Sequence, residues 1–325
     1  MNALTASSTA QRAGPLLRRA GDAMPSASIG AVPILWNNVD IVDLRHGTEP
    51  ATILDEIARI GYEGTQLGLG FPEGDALRTA LAERNLRLAE VYASLRATMD
   101  GPTDDALAVG RERLRLLHDA GGEVLCLALD SSPAREERAG RASTSGTPTL
   151  TEDGWAGLVE VIEAIAREAR DLGHRTVFHP HAGTFVETPA EVERFVGSTN
   201  ADLVGICLDV GHLIVGGGDP ISMLTVLGER VTHIHLKDVD RGVLSRLQAG
   251  DLPGFGAAIR ERLFTELGAG VLDLDGVIAT LVARDYDGWL MVEQDSCWGP
   301  PSESAAIGRR ILGAALRRAG SGLSR

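Results

Sequence analysis

The chain has only three cysteines, Cys126, Cys207 and Cys297, far apart and without a CxxC spacing. That excludes a disulfide-stapled fold and reads as reduced thiols in a cytoplasmic protein. It has no run of about 18 apolar residues, so no transmembrane helix is expected. Positive charge is in the minority: 31 Lys+Arg face 45 Asp+Glu, for a net charge of −14. Such a field repels phosphate backbones and anionic lipid, so neither a nucleic acid nor a membrane is an expected partner. No GxGxxG follows the first apolar run. Gly216-Gly217-Gly218 lacks the Lys and Ser/Thr of a phosphate-binding loop and reads as a flexible turn. Mean hydropathy is +0.02, which excludes a disordered chain.

What is present alternates. The 325 residues suit two ordinary domains or one large barrel. Residues 1–30, rich in Ala, Ser, Gly and Arg, read as a disordered leader, with Met24 as an alternative start. From residue 31 to about 320, eight short apolar runs (31–36, 64–69, 86–95, 123–129, 175–181, 204–210, 231–238 and 288–295) lack clean two-residue alternation, as in strands buried on both faces of a parallel sheet. Between them lie helix-period stripes, such as Ile53, Leu54, Ile57 and Ile60, or Leu274, Val277, Ile278 and Leu281. Thr151, Thr188-Pro189 and Asp219-Pro220 read as helix starts. Gly61, Gly121, Gly173, Gly228 and Gly288 read as left-handed helix stops. Eight such units without a linker predict a single α/β domain, a (β/α)8 TIM barrel with long loops after strands 4 (131–150) and 7 (239–272). Both loops fall on the C-terminal face, where such barrels keep their active sites.

The polar residues gather at strand ends. Strand 5 ends His179-Pro180-His181, strand 6 Asp209-Val210-Gly211-His212, strand 7 carries His233, His235, Lys237 and Asp238, and strand 8 ends Glu293-Gln294-Asp295. The two-residue period places His233, His235 and Lys237 on one side, and His179 and His181 on one side of theirs. His, Asp, His and Glu from four consecutive strands then converge on one cation. Mixed N/O donors suit Mn²⁺, Co²⁺, Zn²⁺ or Fe²⁺ better than Mg²⁺ or Ca²⁺, and Mn²⁺ is the expected ion. Lys237-Asp238 reads equally as a surface ion pair or as a lysine on a substrate oxygen. Trp36, Asn37 and Asn38 line a sugar site or cap the barrel, and Arg241 is a candidate substrate contact. Glu90 and Tyr92 on strand 3 carry less weight, since a strand-end tyrosine often only packs. Cys126 and Cys207 read as core, and His118 and His174 as surface residues.

The segments HPHAGTFVET, CLDVGHL, HIHLKDVD and GWLMVEQD, with WNN and GYEGTQLGLGFP earlier, resemble the xylose-isomerase-like TIM-barrel superfamily, most closely its inosose dehydratase branch. The resemblance spans about residues 31–315. It implies that Asp209, His235 and Glu293 bind metal and that His212 touches substrate hydroxyls. Most of the superfamily has a glutamate as strand-5 ligand; here His179 stands there, with His181 as the alternative. The implied enzyme is a divalent-metal-dependent lyase or isomerase acting on a keto-polyol, an inosose or keto-sugar. It works through a metal-stabilised enediolate and most readily by dehydration. His181 or Glu293 would be the base, and His212 or Lys237 the acid. A sugar isomerase or 3-epimerase is the alternative, as is the catalytic subunit of a 3-keto-glycoside-cleaving lyase with a small partner subunit. A homodimer is common among such proteins. The related abasic-site nucleases are disfavoured by the negative charge.

A chain lacking residues 1–23 is expected to keep its full activity, measured as turnover at saturating substrate; loss of activity would give the leader a role.

Overall fold

The computed structural model describes residues 23, 24 and 26–322. The leader expected over residues 1–30 thus lies mostly outside the described residues. Eight parallel strands close into a barrel: β1 (Ser28–Ala31), β2 (Gly64–Gln66), β3 (Arg87–Leu95), β4 (Val124–Leu129), β5 (Arg175–His179), β6 (Val204–Asp209), β7 (Val231–Leu236) and β8 (Trp289–Val292). Each neighbours the next in sequence, and β1 pairs with β8. The principal helices are α1 (Pro50–Ile60), α2 (Gly74–Ala82), α3 (Ala106–Ala120), α4 (Glu152–Asp171), α5 (Pro189–Ser198), α6 (Pro220–Leu227), α7 (Leu274–Val282) and α8 (Pro301–Gly322).

Local chemistry sets most of these boundaries. Thr151 and Asp219 accept the backbone N–H of Gly154 and Ser222 and so cap α4 and α6. Thr188 and Glu191 form a reciprocal capping box at the start of α5. Gly61 and Gly121 end α1 and α3 in the left-handed region. Gly228 and Gly288 correct the expectation of such stops. Gly228 has a positive φ but ψ −134°, outside the left-handed helical well. Gly288 permits a close approach instead: a Cβ there would lie 2.4 Å from the Thr232 carbonyl oxygen. The first strand is also corrected. It runs Ser28–Ala31 rather than over 31–36, because Pro33 has no N–H for the ladder and opens the 3-10 turn Pro33–Leu35.

Two cores follow from the barrel. The helices bury their apolar stripes on the outer face of the strands, with Ile53, Leu54, Ile57, Leu158, Ile162, Val277 and Leu281 among the buried residues. Inside, Val32, Ala89, Val124, Cys126, Val177, Cys207, Trp289 and Met291 fill the axis. Large and small residues alternate there. A Cβ on Gly64 would lie 2.5 Å from the Trp289 ring, and one on Gly30 2.4 Å from the Met291 sulfur. The bulky β8 side chains occupy the space that β1 and β2 leave free.

The loop expected after strand 4 holds a short helix, Pro133–Glu136, whose Arg135 is fully buried. Its guanidinium grips Glu191 of α5 through two bonds of 2.7 and 2.9 Å. The segment 239–272 is ordered: helices Arg241–Ala249 and Phe255–Arg260, and a ribbon pairing Asp238–Val239 with Phe264–Thr265. Val243, Leu247, Phe255, Ile259 and Phe264 form its own apolar cluster, joined by Ile41, Ala139, Ala182 and Val215 from other loops of the C-terminal face. Arg260 reaches Asp43 at 3.1 Å. The segment is a roof across the barrel mouth.

Gly64→Val is expected to destabilise the fold by about 1–3 kcal/mol in urea unfolding, through overpacking against Trp289. Gly197→Ala in α5, where a Cβ meets nothing within 4 Å, should be neutral or stabilising by up to about 1 kcal/mol.

Candidate metal and catalytic site

The C-terminal ends of β5 to β8 converge beneath this roof. His179 ends β5, Asp209 ends β6, His235 lies within β7, and Glu293 follows β8. One donor atom from each of these four lies within 4.8 Å of all the others. His235 Nδ1 is 2.6 Å from Glu293 Oε2 and 3.9 Å from Asp209 Oδ2; His179 Nε2 is 3.6 Å from the same Asp209 oxygen. Asp209 divides its labour. Its Oδ1 accepts the His212 backbone N–H at 2.9 Å, capping the short helix Val210–Val215. Its Oδ2 is buried without a hydrogen-bond partner and faces two imidazole nitrogens. An orphaned carboxylate oxygen among N and O donors fits a divalent cation. Of the two strand-5 alternatives, only His179 joins the set. His181 donates its Nδ1–H to the Ala182 carbonyl at 2.7 Å, leaving Nε2 with a free lone pair, and its ring lies 3.7 Å from that of His212.

Lys237 is the chain's only lysine, against 30 arginines, and it is 1% exposed. Its Nζ lies 2.6 Å from Asp295, 3.1 Å from Glu293 and 3.4 Å from Asp209. Burial opposes its charge, but those three carboxylates outweigh burial and hold the ammonium well above the ordinary lysine range. Burial raises Asp295 to about 7 against the pull of Lys237. Burial, His179 and Lys237 push His181 down to about 3. Burial, His181 and Lys237 likewise keep His212 far below the usual histidine range. Both rings are therefore neutral at pH 7, and His212 Nε2 lies 2.9 Å from the lysine ammonium.

The remaining candidates fall elsewhere. Trp36 is buried, with its indole N–H on Glu56 of α1. Both ends of the Asn37 amide are engaged by the Thr48 backbone. Arg241 stands exposed on the roof helix, without a hydrogen bond or ion pair to the cluster. The surface ion pair read for Lys237-Asp238 is corrected: both residues are buried and point apart. Asp238 accepts the N–H groups of Gly268, Gly270 and Leu272 at 2.8–3.0 Å and so holds the loop that follows the roof's return strand. Two further residues join the cluster. Glu90 lies 3.0 Å from His235 Nε2, and Asp295 pairs with Lys237. Their signals were a carboxylate within the apolar run of β3 and the single lysine beside a string of acids.

A family model described as xylose isomerase-like TIM barrel matches residues 54–314. The chain belongs to the xylose isomerase-like TIM barrel family. Among its relatives, inosose dehydratase 1 of Bacillus cereus is 30% identical over 88% of this chain and 96% of its own. The inosose dehydratase of Geobacillus kaustophilus is 32% identical over 87% and 93%. In three dimensions the fold matches a zinc-binding structure of the IOLI protein with a TM-score of 0.66, at 13% identity over 90% of this chain and 98% of that one. At that identity the likeness concerns the fold alone. Within the family's barrel, the polar cluster described above occupies the C-terminal mouth, the face on which TIM barrels carry their chemistry.

Lys237→Met leaves Asp209, Glu293 and Asp295 without their ammonium and is expected to cost about 3–5 kcal/mol at pH 8. A buried acid with a raised native pKa gains stability from protonation as the pH falls from about 7, where Asp295 already sits, toward the unfolded value near 4. The deficit should therefore shrink at pH 5.5, as read by urea unfolding at the two pH values.

Proposed function

We propose that this protein is a divalent-metal-dependent lyase that removes water from a keto-polyol, an inosose, in the cytoplasm. The observation that carries this reading is the convergence of His179, Asp209, His235 and Glu293 beside the neutral pair His181–His212 and the buried Lys237. The relatives named inosose dehydratase, aligned over nearly their whole length, support it. Dispersed thiols support the compartment.

A divalent cation held by those four residues, Mn²⁺ by preference and Co²⁺, Zn²⁺ or Fe²⁺ as alternatives, would supply Lewis-acid stabilisation of charge developing on a carbonyl oxygen. The protein's own groups do the rest. His181 has its Nδ1–H tied to Ala182 and is neutral, so its Nε2 lone pair can take the proton α to the carbonyl. The Lys237 ammonium, held 2.9 Å from the accepting Nε2 of His212, can give a proton to the departing β-hydroxyl, which leaves as water. The buried setting strengthens each of these interactions. Strand 5 offers imidazoles where an epimerase working from both faces of a carbon needs a second carboxylate, and this favours elimination.

The test is a keto-inositol in D₂O followed by NMR. Loss of water to an enol-derived diketone is expected, abolished by a chelator and restored by Mn²⁺. His181→Ala or His212→Ala should lower kcat by about 10²-fold or more with metal retained. Asp209→Asn, which keeps the helix cap, should lose metal and activity together. Clean epimerisation of a ketohexose with no dehydration of any inosose would defeat the assignment.

A further inference from the structure

Below the candidate ligands the barrel axis carries a second polar layer. Glu90 of β3 and His233 of β7 are both fully buried. Glu90 Oε2 lies 2.9 Å from His233 Nε2, and Glu90 Oε1 lies 3.0 Å from His235 Nε2. The opposite nitrogen of His235 is the one that faces Glu293 and Asp209. One carboxylate thus sits between two imidazoles, and one of these is a candidate ligand. The neighbouring interior side chains, Val177, Cys126 and Cys207, give the packing no reason for a charge at this depth. A carboxylate buried so deep is retained only when paired.

We propose that Glu90 is a positioning residue of the metal centre. It accepts the Nε2–H of His235, so that Nδ1 presents a lone pair to the cation, while the His233 ring packs against the same carboxylate, its Nε2 2.9 Å from Oε2. This rests on the reading that His179, Asp209, His235 and Glu293 hold a divalent cation. Three physical points carry it. A ring nitrogen that bears a proton cannot ligate, and the partner of the other nitrogen decides where the proton sits. An anionic acceptor also makes the ring a stronger donor to the metal. Finally, an ionised carboxylate offers His235 only accepting atoms, whereas an amide has one accepting and one donating end. Glu90→Gln would therefore remove the anionic acceptor, and its NH₂ end can face His235. In that orientation the His235 proton moves to Nδ1, on the metal side.

The experiment uses zinc alone as probe. Its affinity is measured by competition with a chromophoric chelator, and proton-detected nitrogen spectra are recorded on the ¹⁵N-histidine chain loaded with zinc. The native chain should show a slowly exchanging, downfield Nε2–H for His235. Glu90→Gln should lose that signal and bind zinc about 10–100-fold more weakly, with the thermal transition of the metal-free chain retained. Glu90→Asp, which keeps the charge on a shorter arm, should fall between. Should the glutamine variant fail to fold, His233→Phe is the second variant: it frees one side of Glu90 and should weaken zinc binding by a smaller factor with the His235 signal displaced. Native zinc affinity in Glu90→Gln with an unmoved His235 signal would overturn the proposal and leave the metal reading intact. A native chain that binds no zinc, manganese or cobalt would overturn the metal reading and this proposal with it.

Discussion

Four carboxylates, Glu90, Asp209, Glu293 and Asp295, lie within a barrel mouth almost closed to water, and the structure around them is arranged to neutralise them. A buried charge without a partner costs several kcal/mol. One ammonium, Lys237, touches three of the four. In the metal-free chain His235, between Glu90 and Glu293, is held far above the usual histidine range: burial opposes its charge and the two carboxylates prevail, so a cation would displace the Nδ1 proton that faces Glu293. Asp209 Oδ2 makes no hydrogen bond, with the Lys237 ammonium 3.4 Å away, and the four carboxylates outnumber Lys237 and His235, so the site retains an appetite for positive charge. That imbalance, more than any single motif, gives the mouth its chemistry.

The roof follows from the same constraint. Coulombic pairs of this kind are strong only when solvent is kept away. The segment 239–272 does so with its own apolar cluster, and Asp238, next to the catalytic-face lysine, holds the far end of that segment by three backbone N–H groups. Two successive residues therefore serve opposite sides of one strand end: Lys237 turns inward to the carboxylates, and Asp238 turns outward to build the cover. Phe264 of the roof, 4.6 Å from the Lys237 ammonium, joins the two. The interior packing below is as constrained. Trp289 and Met291 fill the space opposite Gly64 and Gly30, which gives the mouth a rigid floor.

Much of this was legible from residues. The alternation His233, x, His235, x, Lys237 reports a common face because successive side chains in a strand point to opposite sides. Strand ends at His179, Asp209 and Glu293 could be placed because short apolar runs stop there. Glu90 was not legible as a partner of His235. Its strand β3 lies across the barrel from β7, so the contact spans 145 residues, and no local spacing records it. Trp36 and Asn37 were legible only in position. Their place after β1 suits a sugar contact, but their polar atoms are engaged by Glu56 and Thr48 in the loop and helix that follow.

By itself the sequence determined the eight strand-and-helix units, the face on which polar residues gather, and the donors able to bind a cation, because these depend on periodicity and residue chemistry within short windows. Only the tertiary structure placed His179 rather than His181 among the converging donors, turned Lys237 into the cluster, and set Glu90 beneath His235. Those outcomes depend on where the chain goes after each strand and on what faces it across the barrel. After His179, Pro180 ends the ladder and the turn ties the His181 ring to its own backbone. Such distances are set by closure of the whole barrel and by no segment of it alone.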